Sequence, residues 1–330
     1  MRHDMIPAFD LYAPSSVESA VRLAAELGND GWILGGGQDS LDWFKDRVKR
    51  PQAVIDLGDI DALRGIRTTD NGLTIGSMTT LSELVAHPSI SASYRLLAAA
   101  ASRVASPQIR NMATLGGNLM QDTRCWYYRA GLSCYRAGGN MCYANTPEGV
   151  NREHCIFGAD RCVAVSPSDM GVALVALDAK VTLVGPDGER RLPAENFFVG
   201  PSRDIRRMTV ARPDEILVSI DLPNGSSGLA HHYEKVADRG AFDFALVSIA
   251  ACWQMSGDRL SRYRVAAGGV ECVPRRLRQV ELVVEGRRRD ESTAKIAAEA
   301  AVIGTEPLRY NAFKVPLLAS LVRRSVLEHG

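Results

Sequence analysis

Five of the seven cysteines, Cys125, Cys134, Cys142, Cys155 and Cys162, crowd into one short stretch, while Cys252 and Cys272 stand far off in apolar or strand-like settings. An odd count grouped this way, behind an N-terminus Met1–Pro7 that lacks a signal peptide's apolar core, argues against a disulfide framework and for a metal. The gaps are C-x8-C, C-x7-C and C-x19-C through Cys125, Cys134, Cys142 and Cys162, with Cys155 as an alternative fourth ligand. None is the C-x2-C of a zinc ribbon. Four thiolates satisfy a [4Fe–4S] group or a four-cysteine zinc site equally well. His154 can also complete a zinc site of three cysteines and one histidine, and unligated buried thiols are the remaining alternative. Arg124, Arg129, Arg136 and Arg161 lie close by in sequence. Their charge would favour thiolates and tune a cluster, or simply face solvent or a subunit.

Two glycine-rich segments offer a second chemistry. Gly35-Gly36-Gly37-Gln38-Asp39-Ser40 sits between a strand and a helical run. Its glycines permit positive φ, and its successive amides can cradle a pyrophosphate. It is neither a Walker loop nor a G-x-G-x-x-G fingerprint. Ala113-Thr114-Leu115-Gly116-Gly117-Asn118 is the second. Each alone reads as a tight turn; together, in different subdomains, they suit one long cofactor lying between them.

The elements that would position these residues alternate helix and strand. Ser15, with Glu18 three residues on, is placed to cap a helix carrying Val17, Ala20, Val21 and Ala24, and Gly28 ends it. Short strands follow at Trp32–Leu34 and Val54–Leu57, then strand and turn at Leu73–Ser77, and helices at Leu81–Ala86 and Tyr94–Val104. Residues 121–165 break all periodicity, and a loop of that length inside a domain is functional or disordered. Helix then strand return over Gly171–Val184. After a linker at Pro223–Gly228 come strands near His231–Val236, Leu246–Trp253 and Tyr263–Ala267, and helices at Ser292–Val302 and Val315–Glu328, as in a separate α+β domain. The expected division is 1–60, 61–223 with an insertion at about 121–165, and 224–330.

The chain of 330 residues is 46% hydrophobic and 23% charged, ample for a core. Its formal charge of +1 gives no support to nucleic-acid binding. No stretch approaches the ~20 apolar residues of a membrane span.

Taken together these residues resemble the flavin-carrying medium subunits of the xanthine dehydrogenase family of molybdenum hydroxylases. The resemblance runs through Trp32–Leu41, Ile75-Gly76-Ser77, Thr114–Leu119, Ser166-Pro167-Ser168-Asp169, Tyr233–Arg239 and Phe242–Ser248. Asp122–Tyr128, Asn151–His154 and Arg161–Ala164 narrow it to a subgroup that includes periplasmic aldehyde oxidoreductases and, more distantly, 4-hydroxybenzoyl-CoA reductases. That subgroup carries an extra [4Fe–4S] cluster in this insertion.

The resemblance implies a vanillyl-alcohol-oxidase-type FAD-binding domain of two α/β subdomains plus a C-terminal α+β domain. It implies FAD held by Ile33, Leu34, Gly35, Gly36, Gly37, Gln38, Asp39, Ser40 and Leu41 at the pyrophosphate. Ser77 would lie near the cofactor, Thr114, Gly117, Asn118 and Asp169 at the ribityl, ribose or ring edges, and Lys235 near the isoalloxazine. It selects Cys125, Cys134, Cys142 and Cys162 as cluster ligands, with Cys155 a bystander. The usual Ala-Gly-Gly-Thr-Asn loop here reads Leu-Gly-Gly-Gly-Gln-Asp-Ser, one residue longer and without a His or Cys for covalent flavin attachment.

The implied partners are a large subunit holding the molybdenum cofactor, a small subunit with two [2Fe–2S] clusters, and an external electron acceptor. No catalytic residue for the substrate is expected on this chain; Asp238-Arg239 and His231-His232 read as solvated strand ends. The chain is expected in the cytoplasm, or in the periplasm by co-export with a signal-bearing partner. A standalone flavin oxidase, a zinc-bearing interaction subunit and a reductase running electrons toward molybdenum are the alternatives.

Overall fold

The computed structural model describes residues 6–328, so the segment 1–5, part of the N-terminus read for a signal, lies outside it. Three sheets follow one another along the chain. The first is parallel: β1 (Asp10–Tyr12), β2 (Gly31–Leu34) and β3 (Ala53–Asp56), with β3 central. The second is antiparallel: β4 (Ile66–Thr69), β5 (Gly72–Gly76), β6 (Lys180–Gly185), β7 (Gly188–Pro193) and β8 (Ile216–Pro223), in the order β4-β5-β8-β6-β7. The third, also antiparallel, holds β9 (Ala230–Val236), β10 (Val247–Ser256), β11 (Arg259–Gly268) and β12 (Arg275–Arg276), in the order β12-β11-β10-β9.

β3 pairs in parallel with both β1 and β2, and the helix Val17–Leu27 supplies the crossover from β1 to β2. Ser16, not Ser15, caps it: its hydroxyl accepts from the Ser19 amide at 3.2 Å. Ser19, not Glu18, reaches back to the cap. Ala20, Val21 and Ala24 are buried on the stripe expected, and Gly28 at φ 52° closes the helix.

β10 shows how one strand serves two cores. Val247, Ile249, Ala251 and Trp253 point to one face and pack with Val280, Ala297, Leu318 and Leu321 of the C-terminal helices. Ala250 and Cys252 point to the other and join the core around the helix Asp169–Ala176. This is the two-residue period of a strand buried on both sides. The helix Asp169–Ala176 is buried at every position, so it has no amphipathic stripe. Its cap, Ser168, accepts from the Gly171 amide at 2.9 Å. Asp178, at φ 52°, then pairs with both Arg264 and Arg276, tying the end of this layer to the third sheet.

Residues 121–165 contain only the short helix Trp126–Arg129 and single 3-10 turns at Tyr135–Ala137 and Tyr143–Asn145. Among the described residues no helix is long and apolar enough to cross a membrane.

Trp253 is fully buried against Tyr263, ring centroids 6.0 Å apart. Trp253→Ala is expected to destabilise the fold by about 3–5 kcal/mol, seen as a lower melting temperature. Met255→Ala, on the exposed end of the same strand, should leave melting unchanged.

Candidate cofactor site

Three stretches of backbone meet where β2 runs out. Gly36 and Gly37 both take positive φ, 79° and 75°. A Cβ on Gly36 would fall 2.3 Å from the Met112 carbonyl oxygen, and one on Gly117 2.5 Å from that of Gly35. Such overlaps with backbone cannot be relieved by moving a side chain. Thr114 fastens the contact: its hydroxyl donates to the Gly35 carbonyl at 3.2 Å and accepts from the Gly117 amide at 3.1 Å as cap of the helix Leu115–Leu119. The segment after β5 is the third wall. Gly116 donates to the Ser77 carbonyl at 2.7 Å and Leu115 to that of Thr79 at 2.9 Å.

Inside this frame the amide N–H groups of Gly36, Gly37, Gln38 and Asp39 make no hydrogen bond to other described residues. A run of amides turned outward through successive positive-φ glycines makes a concavity for an anion. The Ser77 hydroxyl is also buried there without a partner. These observations fit a phosphate-bearing cofactor, with backbone rather than side chains as the donor set.

The side chains named in the sequence divide sharply. Both Asp39 oxygens are occupied, one by Trp43 Nε1 at 3.0 Å and one by Arg129 Nη2 at 2.6 Å, with Arg129 lying 4.1 Å over the Trp43 ring. Ser40 accepts from Trp32 Nε1 at 2.9 Å. Both therefore brace the loop. Ile33 packs against the core of the helix Val17–Leu27, and Leu34 against Trp43 and Phe44. Gln38 and Leu41 are exposed.

Asn118 is buried, and its side-chain oxygen accepts from Ser168 Oγ at 2.8 Å and the Met170 amide at 3.3 Å. Lys235 Nζ donates to Asp169 Oδ2 at 2.6 Å and to the Arg103 carbonyl at 3.2 Å, all nearly out of solvent. Burial pushes the Asp169 carboxyl up and Lys235 opposes it. Lys235 thus spends its charge on Asp169, a pairing between residues 66 positions apart that periodicity does not reveal.

The cysteine loop lies beside this frame. Arg136, with Lys49, holds Asp122 below the usual carboxylate range, against a burial that pushes it up. Thr123 Oγ1 donates to the Val165 carbonyl at 3.1 Å. All seven cysteines are free. Cys125, Cys142 and Cys162 lie within range of one another's charge. Cys134 is set among Trp43, Phe44 and Tyr128, with Cys125 against it. Cys155 is buried between Ala144 and Val163.

Sequence reasoning passed over Cys272 as remote. Its thiol contacts Cys162, and it donates to the Ala164 carbonyl at 2.9 Å. Hydrogen bonding of the Cys272 thiol to Cys162, with the Ala164 backbone and Arg136 nearby, holds the Cys162 thiol down at about 6 against burial, while burial pushes Cys125 and Cys155 up to about 12. His154 Nε2 lies 3.3 Å from Cys125 Sγ, and burial lowers this histidine to about 4.

Among the described residues no three His, Cys, Asp or Glu side chains are gathered closely enough to hold a metal ion. Cys125, Cys134, Cys142 and Cys162 share one neighbourhood, then, but are not drawn to a common point. In chemistry the set fits an anionic, thiolate-ligated group. The donors are free thiols, and beside them Arg124 Nε and His154 Nδ1 are buried without partners.

Residues 7–225 match the family of FAD binding domains in molybdopterin dehydrogenases, and residues 231–329 the CO dehydrogenase flavoprotein C-terminal domain. The chain is 34% identical over 324 residues, 97% of either chain, to the FAD-binding subunit of an aldehyde oxidoreductase of Escherichia coli (strain K12). It is 30% identical to the carbon monoxide dehydrogenase medium chain of Hydrogenophaga pseudoflava, covering 97% of this chain and 96% of that one. The solved structure of the carbon monoxide dehydrogenase from the same organism superposes with a TM-score of 0.78 at 28% identity, over 98% of this chain and 97% of the other.

Gly36→Ala is expected to abolish FAD retention while leaving circular dichroism unchanged. Gly200→Ala, whose added methyl would meet nothing within 4 Å, should retain FAD as the parent does.

Proposed function

Because this chain belongs to the family of FAD-binding medium subunits of molybdenum hydroxylases, we propose that it works as the electron-transfer subunit of a heteromeric oxidoreductase. The substrate, an aldehyde or an aromatic heterocycle, is oxidised on a large subunit holding the molybdenum cofactor. Electrons reach this chain through a small subunit with two [2Fe–2S] clusters, and an external acceptor takes them away. The outward amides of residues 36–39 carry this reading, because a phosphate cradle is the feature of the chain that a dinucleotide cofactor requires.

Bound FAD supplies the two-electron chemistry; the protein supplies position and field. The backbone of residues 33–41 holds the pyrophosphate. Thr114 and Gly117 fix the second loop against it, and the Ser77 hydroxyl faces the cofactor. Asp169, paired with Lys235, would meet the sugar or ring edge. Lys235, bound to Asp169, lies near the isoalloxazine. Residues 1–60 and 61–223 form the two flavin subdomains, and 224–330 the third domain that Lys235 joins to them.

The cysteine loop binds a [4Fe–4S] group through Cys125, Cys134, Cys142 and Cys162, with Cys155 unligated. Free thiols in one neighbourhood, beside an Arg124 whose buried Nε has no partner, support this assignment. Loading requires the four sulfurs to close on one centre, as metal sites commonly do when binding completes local folding.

The test is cofactor analysis of the complex purified with its partner subunits. Parent protein should carry FAD, and iron and acid-labile sulfide in excess of the small subunit's clusters. Cys162→Ser should lose that excess, and Cys155→Ser should keep it. Zinc in place of the excess iron would overturn the cluster, and absence of FAD would overturn the electron-transfer role.

A further inference from the structure

The residue that supplies the last outward amide of the phosphate loop also carries a negative charge. Asp39 stands at the N-cap position of the helix Ser40–Lys45, where an aspartate ordinarily accepts from an amide two or three residues on. Here its side chain makes no such bond. Its oxygens engage Trp43 Nε1 at 3.0 Å and Arg129 Nη2 at 2.6 Å instead. The Ala-Gly-Gly-Thr-Asn loop usual in the resembled family brings no acid to this place, and the longer loop of this chain does.

A carboxylate beside a pyrophosphate works against it, because like charges at close range repel and the repulsion grows where solvent is thin. An aspartate left free at an N-cap also competes for the amides around it. Arg129 is the cation placed to offset both effects. It belongs to the short helix Trp126–Arg129 of the cysteine loop, 90 positions from Asp39. Its Nε donates to the Thr123 carbonyl at 3.1 Å, and its guanidinium lies 4.1 Å over the Trp43 ring. Three contacts therefore fix its direction. The two side chains are 23% and 21% exposed, so the pair escapes much of the screening that makes surface ion pairs weak.

We propose that Arg129 is a positioning residue for FAD. It neutralises Asp39 and holds that carboxylate off the phosphate cradle, so the cysteine loop governs how tightly the flavin subdomains keep the pyrophosphate. This rests on the phosphate-loop reading of residues 36–39 above and needs no metal in the cysteine loop.

For the test, FAD is removed from the complex purified with its partner subunits and titrated back, with binding read from the quenching of flavin fluorescence. Arg129→Met should weaken FAD binding about tenfold. Arg129→Gln, which keeps a donor for Asp39 but not the charge, should weaken it as the methionine does. Arg129→Lys keeps the charge without the planar fork and should bind within about threefold of the parent. The deciding variant joins Arg129→Met to Asp39→Asn. With the acid gone, affinity should return to that of the parent, although the contacts of Arg129 with Thr123 and Trp43 are still missing.

Parent affinity in both Arg129→Met and Arg129→Gln would overturn the proposal. So would a double variant as weak as Arg129→Met, because Arg129 would then be a brace whose charge is immaterial. A Gly36→Ala complex that binds FAD as well as the parent would instead remove the phosphate-loop reading itself, and this inference with it.

Discussion

Backbone meets backbone at two points, Gly36 against the Met112 carbonyl and Gly117 against that of Gly35. No side chain larger than hydrogen fits at either point, and the rest of the site is arranged to hold that approach. Thr114 bridges it with one hydroxyl used as both donor and acceptor. Asp39, gripped by Trp43 and Arg129, fixes the far end of the loop. With its carbonyls and side chains engaged, the loop keeps its amides in reserve. Oriented amides cost no reorganisation when an anion arrives, which is why a neutral backbone can hold a charged phosphate firmly.

The same economy extends outward from the helix Asp169–Ala176. Its first residue meets Lys235 of β9, its buried face meets Ala250 and Cys252 of β10, and its end leads to Asp178 between two arginines. Flavin domain and C-terminal domain therefore share a core and ionic ties that include those at Asp169 and Asp178. A change in the charge near Asp169 would be felt directly in β9. On the other side, Arg129 joins the cysteine loop to the phosphate loop through Asp39, so the two candidate cofactor regions share a residue contact.

Much of this was legible in the sequence because it is local. Glycine runs marked both loops, the 3.6-residue stripe located the helix at Ala20, Val21 and Ala24, and strands were read close to β9 and β10. What stayed hidden depends on contacts far apart along the chain. Two adjacent serines stand at the start of the first helix, and it is the Ser16 hydroxyl that accepts from the Ser19 amide. β7, with its exposed Glu189 and Arg191, has no apolar pattern to read, and β8 was passed over although it is central to its sheet. Lys235 was expected near the flavin, and its pairing with Asp169, 66 positions away, could not be read from the sequence. Cys272 looked remote, yet folding brings it to Cys162. Lys314 read as the edge of a helix, although the fold buries it completely.

The central claim is that the unpaired amides of residues 36–39, braced by the second glycine loop, receive the cofactor's phosphates. Amide hydrogen exchange on the complex, with FAD removed and then restored, tests it most directly. Restored FAD should slow exchange at residues 36–39, where no acceptor is otherwise present, and at the adjoining 114–118 turn that braces them. Protection confined to other parts of the chain, with 36–39 exchanging as fast in the loaded protein as in the stripped one, would contradict it.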